Sequence, residues 1–290
     1  MKRDVHLRIY PAPAKINLGL EILHKRSDGY HELNTIFYRV WEPHDVIAVH
    51  PSEAFVLTTS DTSLKTDRTN LIFKAAQAFA EATSESNLPP FSFHIDKHIP
   101  MGAGLGGGSS NAATTLLILN ELMPNPISPE RLLRLGASLG ADIPFFLTQS
   151  TSALASGIGD VLSPLSVQLP VYILIVKPHS IAVPTKEAYE YLKLNMREPT
   201  DLVAVMDGDL NDLPKKLHND FEAYAFGLHP SLKNIKEQLY AEGAFYASMS
   251  GSGSALYGMF ESEEDVKAAQ RVMQKAGHAV YLNEPANAQF

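Results

Sequence analysis

An α+β fold is what this sequence predicts, and three observations carry the expectation. Strand-like runs are followed by helical patterns, no segment repeats, and the chain can bury a sizeable core, with 45% hydrophobic and 19% charged residues over 290 positions. That length suits two compact domains or one large α/β domain. No low-complexity tract is present, which argues against disorder, collagen-like repeats and coiled coil.

The elements follow in order. Apolar periodicity predicts strands at His6–Tyr10, Ile16–Ile22, Val46–Val49 and Phe55–Leu57. A helical pattern over Asn70–Ala82 comes next, then a strand at Phe91–Ile95. Helices are predicted over Ser110–Leu122 and Pro129–Leu139, a fresh strand at Val171–Val176, and late helices over Ser231–Glu242 and Glu263–Ala276. Pro, Gly and Asp accumulate at Ser60–Thr69, Ser84–Pro90, Pro124–Pro129 and Glu198–Pro214, which are expected loops. A domain boundary is placed after the turn region Ser156–Pro164, giving 1–164 and 165–290.

Charge and composition narrow the function. The balance 24 − 32 = −8 and a pI near 5.8, with basic residues scattered, leave no broad positive face for duplex nucleic acid. An anionic ligand therefore needs a local site. The absence of cysteine removes disulfides, thiolate nucleophiles and cysteine-ligated metals, and fits a reducing, cytoplasmic location. Charges occupy the amino-terminal stretch where a signal peptide needs its apolar core, and Val171–Val176 is too short to span a bilayer. Neither export nor membrane insertion is expected.

Residues 102 to 108 read Gly-Ala-Gly-Leu-Gly-Gly-Gly. Five of the 18 glycines fall in seven positions, where even scatter would place roughly 0.4. The loop follows a strand-like stretch ending at Pro100 and leads into Ser109-Ser110-Asn111, residues able to cap the helix Ala112–Leu122. Glycines let a backbone approach a ligand, and free amides at a helix start favour phosphate oxygens. A tightly turned surface loop is the alternative, which the flanking strand and helix disfavour. A P-loop needs a lysine after Gly107, where Gly108 stands. G-x-G-x-x-G is satisfied at Gly102, Gly104 and Gly107, but a dinucleotide site also wants an acid at a strand end, and Glu121 and Glu130 do not fit.

Three further segments stand out: Pro13-Ala14-Lys15-Ile16-Asn17-Leu18 with Arg26-Ser27-Asp28-Gly29-Tyr30-His31-Glu32-Leu33, then Gly140-Ala141-Asp142-Ile143-Pro144-Phe145-Phe146, then Ser250-Gly251-Ser252-Gly253-Ser254. Together with Pro100–Ala113 they resemble the GHMP kinase superfamily, in its order, from Ala12 to about Phe260. Asp-Gly-Tyr-His is similar to the branch acting on a cytidine-diphosphate-linked methylerythritol.

The resemblance implies a two-domain kinase, with an N-terminal ribosomal-protein-S5-like nucleotide domain, a C-terminal α/β sandwich domain and the substrate in the cleft between them. It implies ATP-dependent phosphorylation of one hydroxyl of that cytidylyl compound, in non-mevalonate isoprenoid synthesis, by a monomer or homodimer. Phosphoryl transfer needs charge neutralisation, in-line positioning and an acceptor for the hydroxyl proton. Asp142 matches the catalytic aspartate, in an apolar setting, and Lys15 matches the lysine expected beside it to keep it ionised. Alone, Asp142 would read as a helix cap and Lys15 as a surface lysine.

By the same resemblance, ATP phosphates fall to Pro100, Gly102, Gly104, Leu105, Gly106, Gly107, Gly108, Ser109 and Ser110, and Asn70 and Lys97 match positions near the purine and ribose. Either could instead cap a helix or solvate a strand end. Tyr30, His31 and Tyr189, the last reached through Pro184 and Thr185, match positions holding the cytosine, by stacking and by edge hydrogen bonds. Asn17 falls beside the diphosphate or sugar, and the Gly251-Ser252-Gly253 turn beside the phosphates, although a plain hairpin turn is also consistent. Magnesium is implied by the chemistry. Ser109 or Ser110 offers an oxygen, and its ligands stay unassigned. His94 and His98 lack the H-E-x-x-H pattern, so zinc is not expected. The alternatives are a relative acting on homoserine, mevalonate or a sugar, or a catalytically silent nucleotide binder.

Overall fold

The computed structural model describes residues 7–192 and 197–285. Along the chain the elements are β1 (Arg8–Lys25), β2 (His31–Pro51), β3 (Val56–Thr59), α1 (Leu71–Ala82), β4 (Phe91–Asp96), α2 (Gly107–Leu122), α3 (Pro129–Leu139) and α4 (Ile143–Thr148). There follow β5 (Ser152–Ser156), β6 (Val161–Leu165), β7 (Tyr172–Lys177), α5 (Thr185–Tyr191), α6 (Leu202–Met206), α7 (Leu213–Lys216), α8 (Glu222–Leu228), α9 (Pro230–Ala241), β8 (Tyr246–Met249), β9 (Leu256–Phe260), α10 (Glu263–Lys275) and β10 (Ala279–Asn283). The mixture of helices and sheets is the expected α+β class.

Two compact units interleave along the sequence. One takes Met1–Ala14, Pro43–Met101 and Gly106–Gln149, the other Lys15–Glu42, Gly102–Leu105 and Ser150–Phe290, each over its described residues. The expected division was a single cut between 164 and 165. β1 and β2 each run from one unit into the other.

In the first unit, Val46–Pro51 of β2 pairs antiparallel with β4, and β3 lies parallel to β4. α1 is capped by Asn70, whose side chain accepts from the Ile72 amide at 2.9 Å. Its buried residues Ile72, Ala75, Ala76, Phe79 and Ala80 follow the spacing of one helical face. α3 starts on Ser128 with Pro129 at its first position, where the missing N–H costs nothing.

In the second unit, Thr35–Tyr38 of β2 pairs antiparallel with β5, which pairs with β6. A four-stranded antiparallel sheet has the order β10-β7-β9-β8. Its apolar cluster joins Leu20, Ile22 and Leu33 to Leu174, Val176, Phe221, Leu239, Met249, Phe260 and Met273. α10 is capped by Ser262, which accepts from the amides of Glu264 and Asp265, and its first turn is acidic, as the helix dipole favours. No helix among the described residues is long and apolar enough to cross a membrane.

Several expectations are corrected. His6 lies outside the described residues, and the two first strands are one, β1, because Ala12–Leu23 is buried without interruption. The turn region Ser156–Pro164 holds the end of β5 and most of β6. Glu198–Pro214 is no loop: α6 starts on Asp201, a 3-10 turn over Leu210–Asp212 starts on Asp209, and α7 follows. The aspartates that suggested a loop cap these short helices. β4 ends at Asp96, before Pro100. α2 begins at Gly107 behind Gly106 (φ 72°), so Ser109, Ser110 and Asn111 lie inside its first turns and cap nothing.

Candidate active site

In the second unit, β1 carries Lys15 and Asn17 two residues apart and so on one face. Both are buried, at 4% and 3% exposure. Lys15 Nζ donates to Asn17 Oδ1 at 2.7 Å and stands 4.7 Å from the centre of the Phe37 ring. Asn17 Nδ2 donates to Thr35 Oγ1 at 3.0 Å, Thr35 donates to the Gly19 carbonyl, and Tyr257 donates to the Asn17 carbonyl at 2.7 Å. A buried ammonium held this way keeps its position without solvent.

The glycine-loop residues 102–105 lie against that strand. Lys15 N donates to the Leu105 carbonyl at 3.0 Å, and Ala255 N to the Ala103 carbonyl at 3.0 Å. Ser250 Oγ donates to the Gly104 carbonyl at 2.9 Å. Gly104 has φ +78°, and a Cβ there would stand 2.0 Å from the Ser250 carbonyl oxygen. A Cβ on Gly251 would meet Gly104 Cα at 3.2 Å and Asn17 Oδ1 at 3.6 Å. Lys15, Asn17, Gly104, Leu105 and the Gly251 turn are thus gathered in one place.

The same unit holds the aromatic group. His31 and Tyr189 are stacked at 4.8 Å with 19° between planes, and Tyr189 meets Phe221 edge-on at 4.8 Å. Tyr30 is 61% exposed at the tip between β1 and β2, its amide donating to Asp28 Oδ1 at 3.0 Å. Burial, then the charge of Lys25, lowers the His31 pKa, favouring the neutral ring. Pro184 precedes α5, and Thr185 Oγ1 lies 2.8 Å from Ser252 Oγ. α5 therefore links the ring pair to the Gly251 turn.

The first unit holds the other expected residues. Gly106 caps α2, whose first turn carries Gly107, Gly108 and Ser109 and no acidic residue, so its free amides face no competing carboxylate there. Ser110 Oγ and Asn111 Oδ1 are buried without a hydrogen-bond partner. Lys97 pairs with the buried Asp45 at 2.8 Å and donates to the Ile99 carbonyl, while Asp45 accepts from the amides of His98 and Ile99. A Cβ on Gly107 would come within 3.2 Å of Lys97 Nζ, so Lys97 backs the start of α2. Asn70 has both side-chain ends engaged, with Ile72 N and the Lys65 carbonyl. Asp142 stands at the N-cap of α4 but makes no capping hydrogen bond, so capping does not explain it. Pro100 is partly buried ahead of the loop. No group of three or more His, Asp or Glu side chains among the described residues is placed to hold a metal.

Thr35, Asn219 and Tyr257 were not singled out from sequence. Asn219 and Tyr257 reach their partners only through the fold, and no local pattern marks them.

Residues 70–150 match the family model of the GHMP kinases N terminal domain, and residues 201–279 that of the GHMP kinases C terminal domain. The chain belongs to the GHMP kinases. A protein of Chlorobium limicola named 4-diphosphocytidyl-2-C-methyl-D-erythritol kinase is 39% identical to this GHMP kinase over 279 residues, which cover 94% of this chain and 95% of its own. A solved structure of a 4-(cytidine 5'-diphospho)-2C-methyl-D-erythritol kinase matches with a TM-score of 0.81 and 33% identity, over 96% of this chain and 100% of that one. Homoserine kinase of Cytophaga hutchinsonii matches with a TM-score of 0.66 at 18% identity, over 98% and 96% of the two chains, a likeness of fold alone.

Proposed function

We propose that this GHMP kinase transfers the terminal phosphoryl group of ATP to the 2-hydroxyl of 4-diphosphocytidyl-2-C-methyl-D-erythritol, a step of non-mevalonate isoprenoid synthesis. The observation that carries the substrate is the His31–Tyr189 ring pair, which α5 joins to the turn at Ser252. That arrangement suits a ligand with a base at one end and phosphates at the other. Identity across nearly the whole of the Chlorobium limicola kinase points the same way. The likeness to homoserine kinase speaks for fold and not for substrate.

In the reaction the substrate oxygen forms a bond to the γ-phosphorus as the bond to the bridging oxygen breaks, and ADP leaves. We assign Asp142 to accept the hydroxyl proton, and Lys15 to supply positive charge. The amides of Gly106–Ser109 at the start of α2, ahead of the Ser110 amide that donates to the Gly106 carbonyl, and those of the 102–105 loop receive the ATP phosphates. Asn70 and Lys97 act on the nucleotide through α1 and the start of α2, since their own polar atoms are engaged. Tyr30 and Tyr189 offer faces to the cytosine. A neutral His31, with one donor and one acceptor nitrogen, matches its edge.

The orphaned oxygens of Ser110 and Asn111 suit a hard cation that takes oxygen ligands and waters, so Ser110 would hold magnesium, which supplies charge neutralisation at the phosphates. Residues 1–164 are assigned chiefly to nucleotide and 165–290 chiefly to substrate. Absence of cysteine supports a cytoplasmic site of action, and a monomer or homodimer suffices. ADP release measured with the cytidylyl compound, its uridine analogue, homoserine and mevalonate tests the reading. Turnover confined to homoserine or mevalonate would overturn it.

A further inference from the structure

Asn219 is buried, and its one side chain holds three backbone groups. Nδ2 donates to the carbonyls of Met249 and Gly251, each at 2.8 Å, and Oδ1 accepts from the Phe221 amide at 3.0 Å. Its backbone forms an isolated parallel bridge with Leu20 of β1. Leu20 N donates to the His218 carbonyl at 2.8 Å and Asp220 N to the Leu20 carbonyl at 3.0 Å on either side. Asn219 thus ties the Gly251 turn to the strand that carries Lys15 and Asn17.

Those two supports also hold residues 103–105, through Lys15 N to Leu105, Ser250 Oγ to Gly104 and Ala255 N to Ala103. The hydrogen bonds close a ring that runs from β1 to the glycine loop, to the 250–255 turn, to Asn219 and back to β1. Gly104 leaves no slack in it, because the Ser250 carbonyl fills the place of a side chain. Removing the Asn219 amide opens the ring and takes a donor from the carbonyls of Met249 and Gly251.

We infer that Asn219 is a positioning residue for the nucleotide, fixing the 102–105 loop through the Gly251 turn without touching either substrate. This rests on the assignment of ATP phosphates to that loop. Asn219→Ala, Asn219→Asp and, as a destabilised control outside the ring, Leu239→Ala are made in the full chain. ATP affinity is read by calorimetry without the second substrate, and amide hydrogen exchange is followed at Lys15 and Ala255. Both Asn219 variants are expected to bind ATP about two- to thirtyfold more weakly and to exchange faster at those amides. Leu239→Ala, with an equal or larger fall in Tm, is expected to leave both readouts alone. Aspartate keeps the size and the acceptor but turns a second acceptor toward two carbonyls, so it can be no better than alanine.

Unchanged ATP affinity in a folded Asn219→Ala, wild-type behaviour of Asn219→Asp, or equal loss in Leu239→Ala would overturn the role. If Asn219→Ala does not fold, Ser250→Ala decides, since it removes the one side-chain bond from the turn to the loop and leaves only the backbone bond from Ala255 N to the Ala103 carbonyl. Loss of affinity there supports the ring, and unchanged affinity overturns it. Failure of the unaltered protein to bind ATP would remove the nucleotide reading itself. ATP binding without turnover of the cytidylyl compound would count against the substrate alone.

Discussion

The carbonyl oxygen of Ser250 occupies the space that a side chain on Gly104 would need, 2.0 Å from an ideal Cβ. Gly104 also has positive φ, so Gly104→Ala carries both a clash with backbone and conformational strain. Its Tm should fall by several degrees, with ATP affinity lost alongside. Gly108→Ala meets only Leu71 Cδ1, at 3.4 Å, and should fold normally while raising the KM for ATP. A normal Tm in Gly104→Ala would show that the turn and the loop move apart freely.

Asp142→Asn keeps the shape of the side chain while removing its charge and its capacity to take a proton. We expect kcat to fall by at least about 10² with a modest change in the KM for ATP. Near-normal turnover would end its assignment as proton acceptor.

Stacking and edge recognition separate at Tyr189 and His31. Tyr189→Ala should lose about 1 to 3 kcal/mol, read as a raised KM for the cytidylyl compound at constant KM for ATP. The uridine analogue, which presents an acceptor where cytosine has a donor, should be a poor substrate, and His31→Ala should erase much of that preference. Because burial and Lys25 lower the His31 pKa, the ring stays neutral as the pH falls through the ordinary value of about 6.5. The KM for the cytidylyl compound should therefore hold steady there and rise only at lower pH. A rise beginning above the ordinary histidine value would contradict it.

His218 titrates the other way. Its hydrogen bond to Asp220, then the charges of Asp220 and Glu21, outweigh burial and Arg197 and raise its pKa. A raised folded value means that the contribution to stability is complete below the unfolded value, about 6.5, and is lost as the pH climbs through the folded one. The Tm advantage of the unaltered protein over His218→Gln should shrink as the pH rises across that window. A constant difference would show that folding leaves the His218 pKa unshifted.

Much of the scaffold was legible because its signals are local. Asn70 ahead of one apolar face announces α1, and Ser262 ahead of three acids announces α10. β8 and β9 are four and five residues long and buried throughout, so they show no alternation to read. α6 and α7 were hidden by the aspartates that start them. At the site, Lys15 and Asn17 share a face by spacing alone. Tyr257 reaches Asn17 across 240 positions, a contact that no window of sequence contains.

The core around Leu174 and Phe260 takes in Leu20, Ile22 and Leu33, roughly 250 positions before its last member, Met273. During synthesis at about 5 to 20 residues per second, that early segment waits on the order of ten to fifty seconds for its partners. A fragment restricted to 165–290 would be made without those three side chains, leaving an apolar gap on its surface. Co-expressing residues 1–42 as a separate peptide is the direct way to fill that gap, which makes this GHMP kinase a candidate for splitting into complementing pieces at the strand rather than at the midpoint.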